Sequence, residues 1–187
     1  MTLVIGLHGA KGSGKDQFFK SARSMFPDLD IRKIAYADSI KNHVCRIFGL
    51  KDEHQYDTFK RSDVTFNGQT VPGRNVVREI GMLMRSYDSM QFVDYVERTV
   101  LNNPQAIWCI TDLRFQNELQ SVKHVLDGYV VKIKRPGYEF DGHTTETEFA
   151  DRLCHVVLHN NGAFMGEYNK SVAATVTRLI QLELNRG

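Results

Sequence analysis

The run Gly9-Ala10-Lys11-Gly12-Ser13-Gly14-Lys15-Asp16 follows directly on the apolar stretch Leu3-Val4-Ile5-Gly6-Leu7, and it narrows the possible folds more than any other part of the chain. It fits G-x-x-x-x-G-K and then departs from the pattern, with Asp16 where Ser or Thr commonly follows the lysine. A buried strand, a glycine-rich turn and a helix form the setting in which backbone N–H groups converge on phosphate. Gly12 and Gly14 let the backbone fold back on itself, the helix beginning near Lys15 adds its positive end, and Lys15 reaches the β- and γ-phosphates. Gly9, Lys11 and Ser13 complete the loop. A chance match in a surface Gly/Ser/Lys loop would lack the flanking strand and helix. The motif implies a nucleoside triphosphate site.

Asp16 allows two readings. A carboxylate facing bare phosphate is repelled, so it belongs there only with Mg²⁺ between them, directly or through water. Alternatively it interacts with the free N–H groups and dipole of the helix start. The two roles are compatible.

At 187 residues the chain is expected to form a single domain with a proper core. Hydrophobic content of 42% and charged content of 25% are ordinary for a globular protein. A formal charge of +2 argues against broad nucleic-acid binding. Cys45, Cys109 and Cys154 are odd in number, lie in apolar surroundings and read as reduced thiols in the cytoplasm. Cys154, His155 and His159 complete no zinc pattern and fit a strand better. No signal peptide is expected, and no apolar stretch approaches membrane-spanning length.

Helices are expected over Asp16 to Met25, Ala37 to about Phe48, Gly73 to about Tyr87, Gln91 to Asn102, Phe115 to Leu126 and Lys170 to Leu184. Strands are expected at residues 31–36, 106–111, 129–134 and 155–159, with Gly128 closing the helix before the third of these. Residues 51–72 show no sustained period and read as a partly ordered excursion with a short hairpin at Asn67-Gly68. Strands alternating with helices imply an α/β fold with a parallel sheet flanked by helices, whose ligands bind beyond the carboxyl ends of the strands.

Two further constellations reach that edge. Thr111-Asp112-Leu113-Arg114 follows a buried strand, where Asp112 suits holding Mg²⁺ through water or accepting a proton. Arg114 is placed to clamp a phosphate, with Glu118 one turn on to fix its guanidinium or contact a ligand; a helix cap with a surface Arg–Glu pair is the plainer reading. Arg74, Arg78, Gly81 and Arg85 share one helical stripe, and three bidentate donors around a bare glycine suit a second phosphate group. Glycine inside a helix costs about 1 kcal/mol and points to a close approach. Residues of about 135–149, with Lys134, Arg135, His143 and Glu146 in or beside them, read as a mobile basic lid that excludes water and supplies positive charge.

With these residues in view, the chain resembles the phage deoxynucleoside monophosphate kinases, a branch of the nucleoside-monophosphate-kinase-like P-loop proteins. The resemblance rests on Gly12-Ser13-Gly14-Lys15-Asp16, Ala37-Asp38 with Lys41, Gly73-Arg74 with Gly81, the run from Thr111 to Glu118, His143 with Glu146, and Asn160-Asn161-Gly162, in the family's order over nearly the whole chain. The loop ending in Lys-Asp and the Asp-x-Arg-x-x-Asn-Glu run are its most specific parts. The sequence departs from the family at Gln17, where Thr is frequent, and at Arg78, where Gln is frequent near the acceptor base; it is also short for the family.

The resemblance implies a three-layer P-loop NTPase fold, ATP as phosphoryl donor, Mg²⁺, and a deoxynucleoside 5′-monophosphate acceptor. Taken with the residue readings above, the expected catalytic residues are Lys15, Asp16, Asp112, Arg114 and Arg135, with Asp16 and Asp112 toward the metal. Asn161 joins the loop in binding ATP, the adenine lying near Asn160 to Gly162. Asp38, Lys41, Arg74, Arg78, Arg85, Arg114 and Glu118 bind the acceptor, within a mobile region of about residues 49–90 and its surroundings. The expected setting is the cytoplasm, of the host if phage-encoded, with no nucleic-acid or membrane partner; a homodimer is compatible. Rival readings are a same-fold kinase acting on dephospho-coenzyme A or phosphomevalonate, and a non-catalytic P-loop switch. A switch has no need of a second arginine groove.

Overall fold

The computed structural model describes residues 2–140, 148–162 and 165–186, leaving aside the Met165 side chain. These divide into two compact units, one of residues 1–35 with 96–187 and one of residues 36–95. The first unit holds a five-stranded parallel sheet in the order β2-β5-β1-β6-β7. The strands are β1 (Leu3–His8), β2 (Ile31–Ile34), β5 (Ile107–Ile110), β6 (Tyr129–Lys134) and β7 (Val156–His159). β1 is central, and its register sets Leu3 against Ile107 on one side and His8 against Lys132 on the other.

Alternation along β1 explains the layers. Leu3, Ile5 and Leu7 share a buried cluster with Phe18 and Ala22 of α1 (Lys15–Met25) and Val172, Val176 and Leu179 of α7 (Met165–Leu184). Gly6 faces the other way, where an added Cβ would lie 3.0 Å from Leu113 and 3.2 Å from Val122. Val122 belongs to a π-helical turn, Ser121–Val125, that prolongs α6 (Gln116–Gln120). Helices therefore cover both faces, as a parallel sheet with a largely apolar centre requires. The connections run to one side of β1 through β2 and β5, then to the other through β6 and β7. That reversal places a crevice at the carboxyl end of β1.

The second unit contains α2 (Ala37–Phe48), α3 (Glu53–Arg61), the hairpin β3 (Asp63–Phe66) and β4 (Gln69–Pro72), and α4 (Gly73–Tyr87). The hairpin turns at Asn67-Gly68, as the sequence indicates. Helix α3 is a departure from the expected loop. Its nine residues are too few for a visible period, and Tyr56 alone is fully buried. Capping compensates: the Asp52 side chain accepts from the Gln55 N–H at 2.8 Å, and Gln55 Oε1 accepts from the Lys51 N–H at 2.8 Å. The remaining helix, α5 (Gln91–Leu101), runs across the boundary between the units.

Two smaller differences have clear causes. α7 begins five residues before the expected Lys170, with Tyr168 buried in its first turns. The turn into β6 is made by Asp127 at φ 45°, whereas Gly128 is needed for space: a Cβ there would meet the Val4 carbonyl oxygen at 2.8 Å.

Candidate functional site

β1 ends at His8, and the glycine loop follows it with Gly9, Gly12 and Gly14 all at positive φ. The Gly14 position shows the constraint most clearly: at φ 114° a side chain is strained, and its Cβ would lie 2.6 Å from Asn160 Nδ2. The loop carbonyls are tied off by side chains from four directions. Lys15 Nζ donates to the carbonyls of Gly9 and Ala10, the latter at 2.9 Å. Arg135 donates to Gly12 O at 3.0 Å, Asn160 Nδ2 to Ser13 O at 2.8 Å, and the Tyr168 hydroxyl to Gly14 O at 3.0 Å. A trans peptide points its N–H opposite to its C=O, so fixing the carbonyls also fixes where the N–H groups aim. Ser13 is buried and its hydroxyl has no hydrogen-bond partner among the described residues. Burial pushes the Tyr168 phenol far above its ordinary pKa, so it remains a donor.

Asp16 lies in the first turn of α1, largely exposed, and its carboxylate pairs with Lys33 of β2 at 2.9 Å. Lys33 was not singled out by the sequence, because an alternating strand position carries no sign of its partner. Lys11 and Asn161 are exposed. Beside Asn161, the buried Asn160 makes the loop contact, and its Oδ1 accepts the Gly162 N–H at 3.2 Å. Tyr168 is likewise a loop contact that the sequence did not indicate. It sits in α7, 154 positions from the carbonyl it holds.

The turn after β5 crosses the sheet edge. Thr111 N–H donates to Ile34 O of β2, and Leu113 N–H donates to Leu7 O of β1, so Asp112 is carried between these two strand ends. Glu118 is buried, with Oε2 accepting the N–H groups of Arg114 at 2.8 Å and Phe115 at 3.0 Å. It thus holds the backbone that presents Arg114, a role the sequence reading of a guanidinium clamp did not include. Arg135 stacks on Tyr138, 4.3 Å from guanidinium carbon to ring centre. A cavity of about 480 Å³ adjoins the loop at Ala10, lined by Lys134, Arg135, Tyr138, Glu148 and His159 among others. That volume suits a small ligand. His143 and Glu146 lie outside the described residues.

The remaining candidates belong to the second unit. Arg74, Arg78 and Arg85 are half-buried along α4, Arg85 lying 4.5 Å from the centre of the Phe92 ring. Gly81 faces α2, where an added Cβ would come within 2.8 Å of Ile40 Cδ1. Its close approach is therefore helix against helix rather than to a phosphate. Lys41 pairs with Glu53 at 2.7 Å, and Asp38 occupies the first turn of α2.

Among the described residues no three His, Cys, Asp or Glu side chains cluster to hold a metal ion, and no helix is long and apolar enough to cross a membrane. Mg²⁺ in phosphoryl-transfer sites needs only one or two carboxylates, with waters and phosphates as the other ligands. Asp112, in the turn that follows β5, and Asp16, in the first turn of α1, carry hard oxygens of that kind, with Asp16 paired to Lys33 in this structure.

No family model matches the chain. It is 29% identical over 197 residues to a protein of Acanthamoeba polyphaga mimivirus named "Putative deoxynucleotide monophosphate kinase", covering 96% of this chain and 99% of that one. In structure it is similar to a dephospho-CoA kinase from Campylobacter jejuni, with TM-score 0.53, 12% identity and coverage of 96% and 98% of the two chains. It is also similar to a gluconokinase from Sinorhizobium meliloti 1021, with TM-score 0.52, 11% identity and coverage of 99% and 97%. The fold is the three-layer α/β fold of P-loop kinases. The structural similarities show the fold, and the relative in sequence is itself named as a kinase.

Proposed function

We propose that this chain transfers the γ-phosphoryl group of ATP to a deoxynucleoside 5′-monophosphate, giving ADP and the nucleoside diphosphate. The observation that carries the reading is the glycine loop: five carbonyls held back by side chains and Lys15 folded over its mouth, with the Asp112–Arg114 turn beside it. The mimivirus relative directs the reading to this acceptor class.

An oxygen of the acceptor phosphate forms the new bond to the γ-phosphorus as the bond to the β,γ-bridging oxygen breaks and ADP departs. That oxygen is already anionic near neutral pH, so alignment and charge neutralisation dominate over base catalysis. Loop N–H groups and Lys15 hold the donor, Lys15 exchanging the carbonyls of Gly9 and Ala10 for phosphate oxygens. Asp112 and Asp16 would hold the metal, and Mg²⁺, when bound, would supply neutralisation of the phosphate charge. Arg74, Arg78, Arg85 and Arg114 bind the acceptor with Asp38 and Lys41, and Glu118 keeps Arg114 in place. Arg135 lies over the transfer, and Asn161 borders the adenine site.

A coupled ADP-release assay with ATP, Mg²⁺ and each of the four deoxynucleoside monophosphates tests this, with dephospho-coenzyme A as a parallel acceptor. Turnover with at least one monophosphate is expected. Turnover with dephospho-coenzyme A alone moves the chain to the rival kinase class, and acceptor-independent hydrolysis alone makes it a switch.

A further inference from the structure

Two buried polar side chains in this molecule have no part in the reading above. His8, fully buried at the end of β1, and Lys132, 2% exposed on β6, are direct cross-strand neighbours. Burying an imidazole and an ammonium is costly unless every donor and acceptor is met, and here residues 148–151 meet all but one, the last being met by Leu113. Lys132 Nζ donates to Glu148 Oε1 at 2.8 Å and to the Phe149 carbonyl at 2.6 Å, and it pairs with Asp151 Oδ1 at 2.9 Å. Those three partners use the full donor set of an ammonium. His8 Nε2 accepts the Phe149 N–H at 3.0 Å, while Nδ1 lies 3.0 Å from the Leu113 carbonyl oxygen. An amide can only donate and a carbonyl only accept, so the proton must sit on Nδ1. The imidazole is therefore held neutral in one tautomer, in keeping with burial lowering its pKa to about 4. The rings of Phe140 and Phe149 stack on it at 5.1 and 4.3 Å.

We propose that His8 and Lys132 are positioning residues, which together lock residues 148–151 and the Asp112–Arg114 turn in register against the phosphate loop. His8 connects all three parts through one ring. Its backbone leads into Gly9, its Nδ1–H holds the carbonyl between Asp112 and Arg114, and its Nε2 holds Phe149. Lys132 holds the same residue through its carbonyl, so both backbone polar groups of Phe149 are fixed by adjacent strands. An apolar pair would fill the space as well but would leave the turn free to shift along the strand end. The catalytic consequence rests on the proposed phosphotransfer; the register itself does not.

His8→Phe keeps the ring stack and removes both hydrogen bonds, whereas His8→Gln offers an amide donor and a carbonyl acceptor in their place. Lys132→Met keeps the stem and removes the charge. Each variant is compared with the full-length wild type in steady-state kinetics and in amide hydrogen exchange at Leu113, Arg114 and Phe115. His8→Phe and Lys132→Met are expected to lower kcat by roughly ten- to hundred-fold, the scale of a small misplacement of reacting groups. The KM for ATP should stay within about threefold, exchange at the turn should speed, and His8→Gln should recover part of both losses. A lowered melting temperature with wild-type kcat and wild-type exchange at the turn would reduce the pair to a structural role and overturn the proposal. Should His8→Phe not fold, His8→Gln and Lys132→Met decide in the same way. If the wild type transfers phosphate to no nucleotide, the proposed function falls, and the exchange measurement still decides the register on its own.

Discussion

The phosphate loop and the arginine face of α4 both present positive charge, but they are built on opposite principles. In the loop the ligand-facing groups are backbone N–H groups, and their direction is fixed because Arg135, Asn160 and Tyr168 hold the carbonyls of Gly12, Ser13 and Gly14. On α4 the charge is carried at the ends of long side chains: helical spacing sets the row on which Arg74, Arg78 and Arg85 stand, and Arg85 lies against the Phe92 ring. The loop is therefore pre-organised, which is what a transition state rewards. The comparison predicts that loop changes cut kcat, whereas α4 changes weaken acceptor use.

The largest effect is expected from Lys15→Ala, which should lower kcat by at least about 10²–10³-fold, the scale of losing one charge-stabilising donor. Its melting temperature should hardly move, since the side chain serves the loop mouth rather than the core. Stopped-time product analysis alongside calorimetry checks this, and a folded variant with native turnover would remove the loop from the mechanism.

Asp112→Asn sharpens the same side of the contrast. The N-cap of α6 is Phe115, three residues on, so Asp112 is not the helix cap that the sequence also allowed, and a merely structural Asp112 predicts little change in rate. A carboxylate working with hydrated metal predicts a fall in kcat of about a hundred-fold with little change in stability. Titrating activity against Mg²⁺ concentration separates the two.

On the other side, Arg74→Ala and Arg114→Ala should each weaken monophosphate use by about ten- to hundred-fold, the loss of one charge-assisted bidentate contact at about 1.5–3 kcal/mol. The KM for ATP should change far less. Wild-type acceptor kinetics in both variants would make the α4 stripe ordinary solvated surface.

Acid tests the buried frame beneath the loop. Burial is the main cause that lowers His8 to about 4, reinforced by the charges of Lys132 and Lys15 and opposed by the Leu113 bond and Glu148. The unfolded chain then binds the proton more readily than the folded one. Stability is full above pH 6.5 and declines as pH falls toward 4, by about 2 kcal/mol between pH 8 and 5. His155, its pKa also lowered mainly by burial, adds a decline of the same sign. Urea midpoints across that range should therefore drop more steeply in the wild type than in His8→Gln.

The smallest effect is reserved for Gly81→Ala. The added methyl meets the flexible end of Ile40, and the gain in helix propensity of about 1 kcal/mol offsets that strain. Stability within about 1 kcal/mol of wild type and unchanged acceptor KM are expected. A marked rise in that KM would restore Gly81 to a ligand groove.

What the sequence disclosed follows the same division. The loop, β1 and the Thr111–Glu118 run were legible because their chemistry is local: glycines, a lysine and a strand within a few positions of one another. The parallel sheet was legible from its apolar strands. Helix α3 escaped a search for periodicity, although Asp52-x-x-Gln55 carries its cap in plain form. His8, Lys132, Asn160 and Tyr168 were not legible as partners, because each meets a group that only the tertiary fold brings near. His8 and Phe149 stand 141 positions apart. Gly81 showed that something approaches closely, but not that it is Ile40.

The most direct test follows the transferred group itself. Wild-type protein is incubated with [γ-³²P]ATP, Mg²⁺ and each deoxynucleoside monophosphate, and the labelled products are separated. The account predicts label on the β-phosphate of a deoxynucleoside diphosphate, formed in step with ADP and lost in Lys15→Ala. Label appearing only as inorganic phosphate, whatever acceptor is supplied, would contradict it.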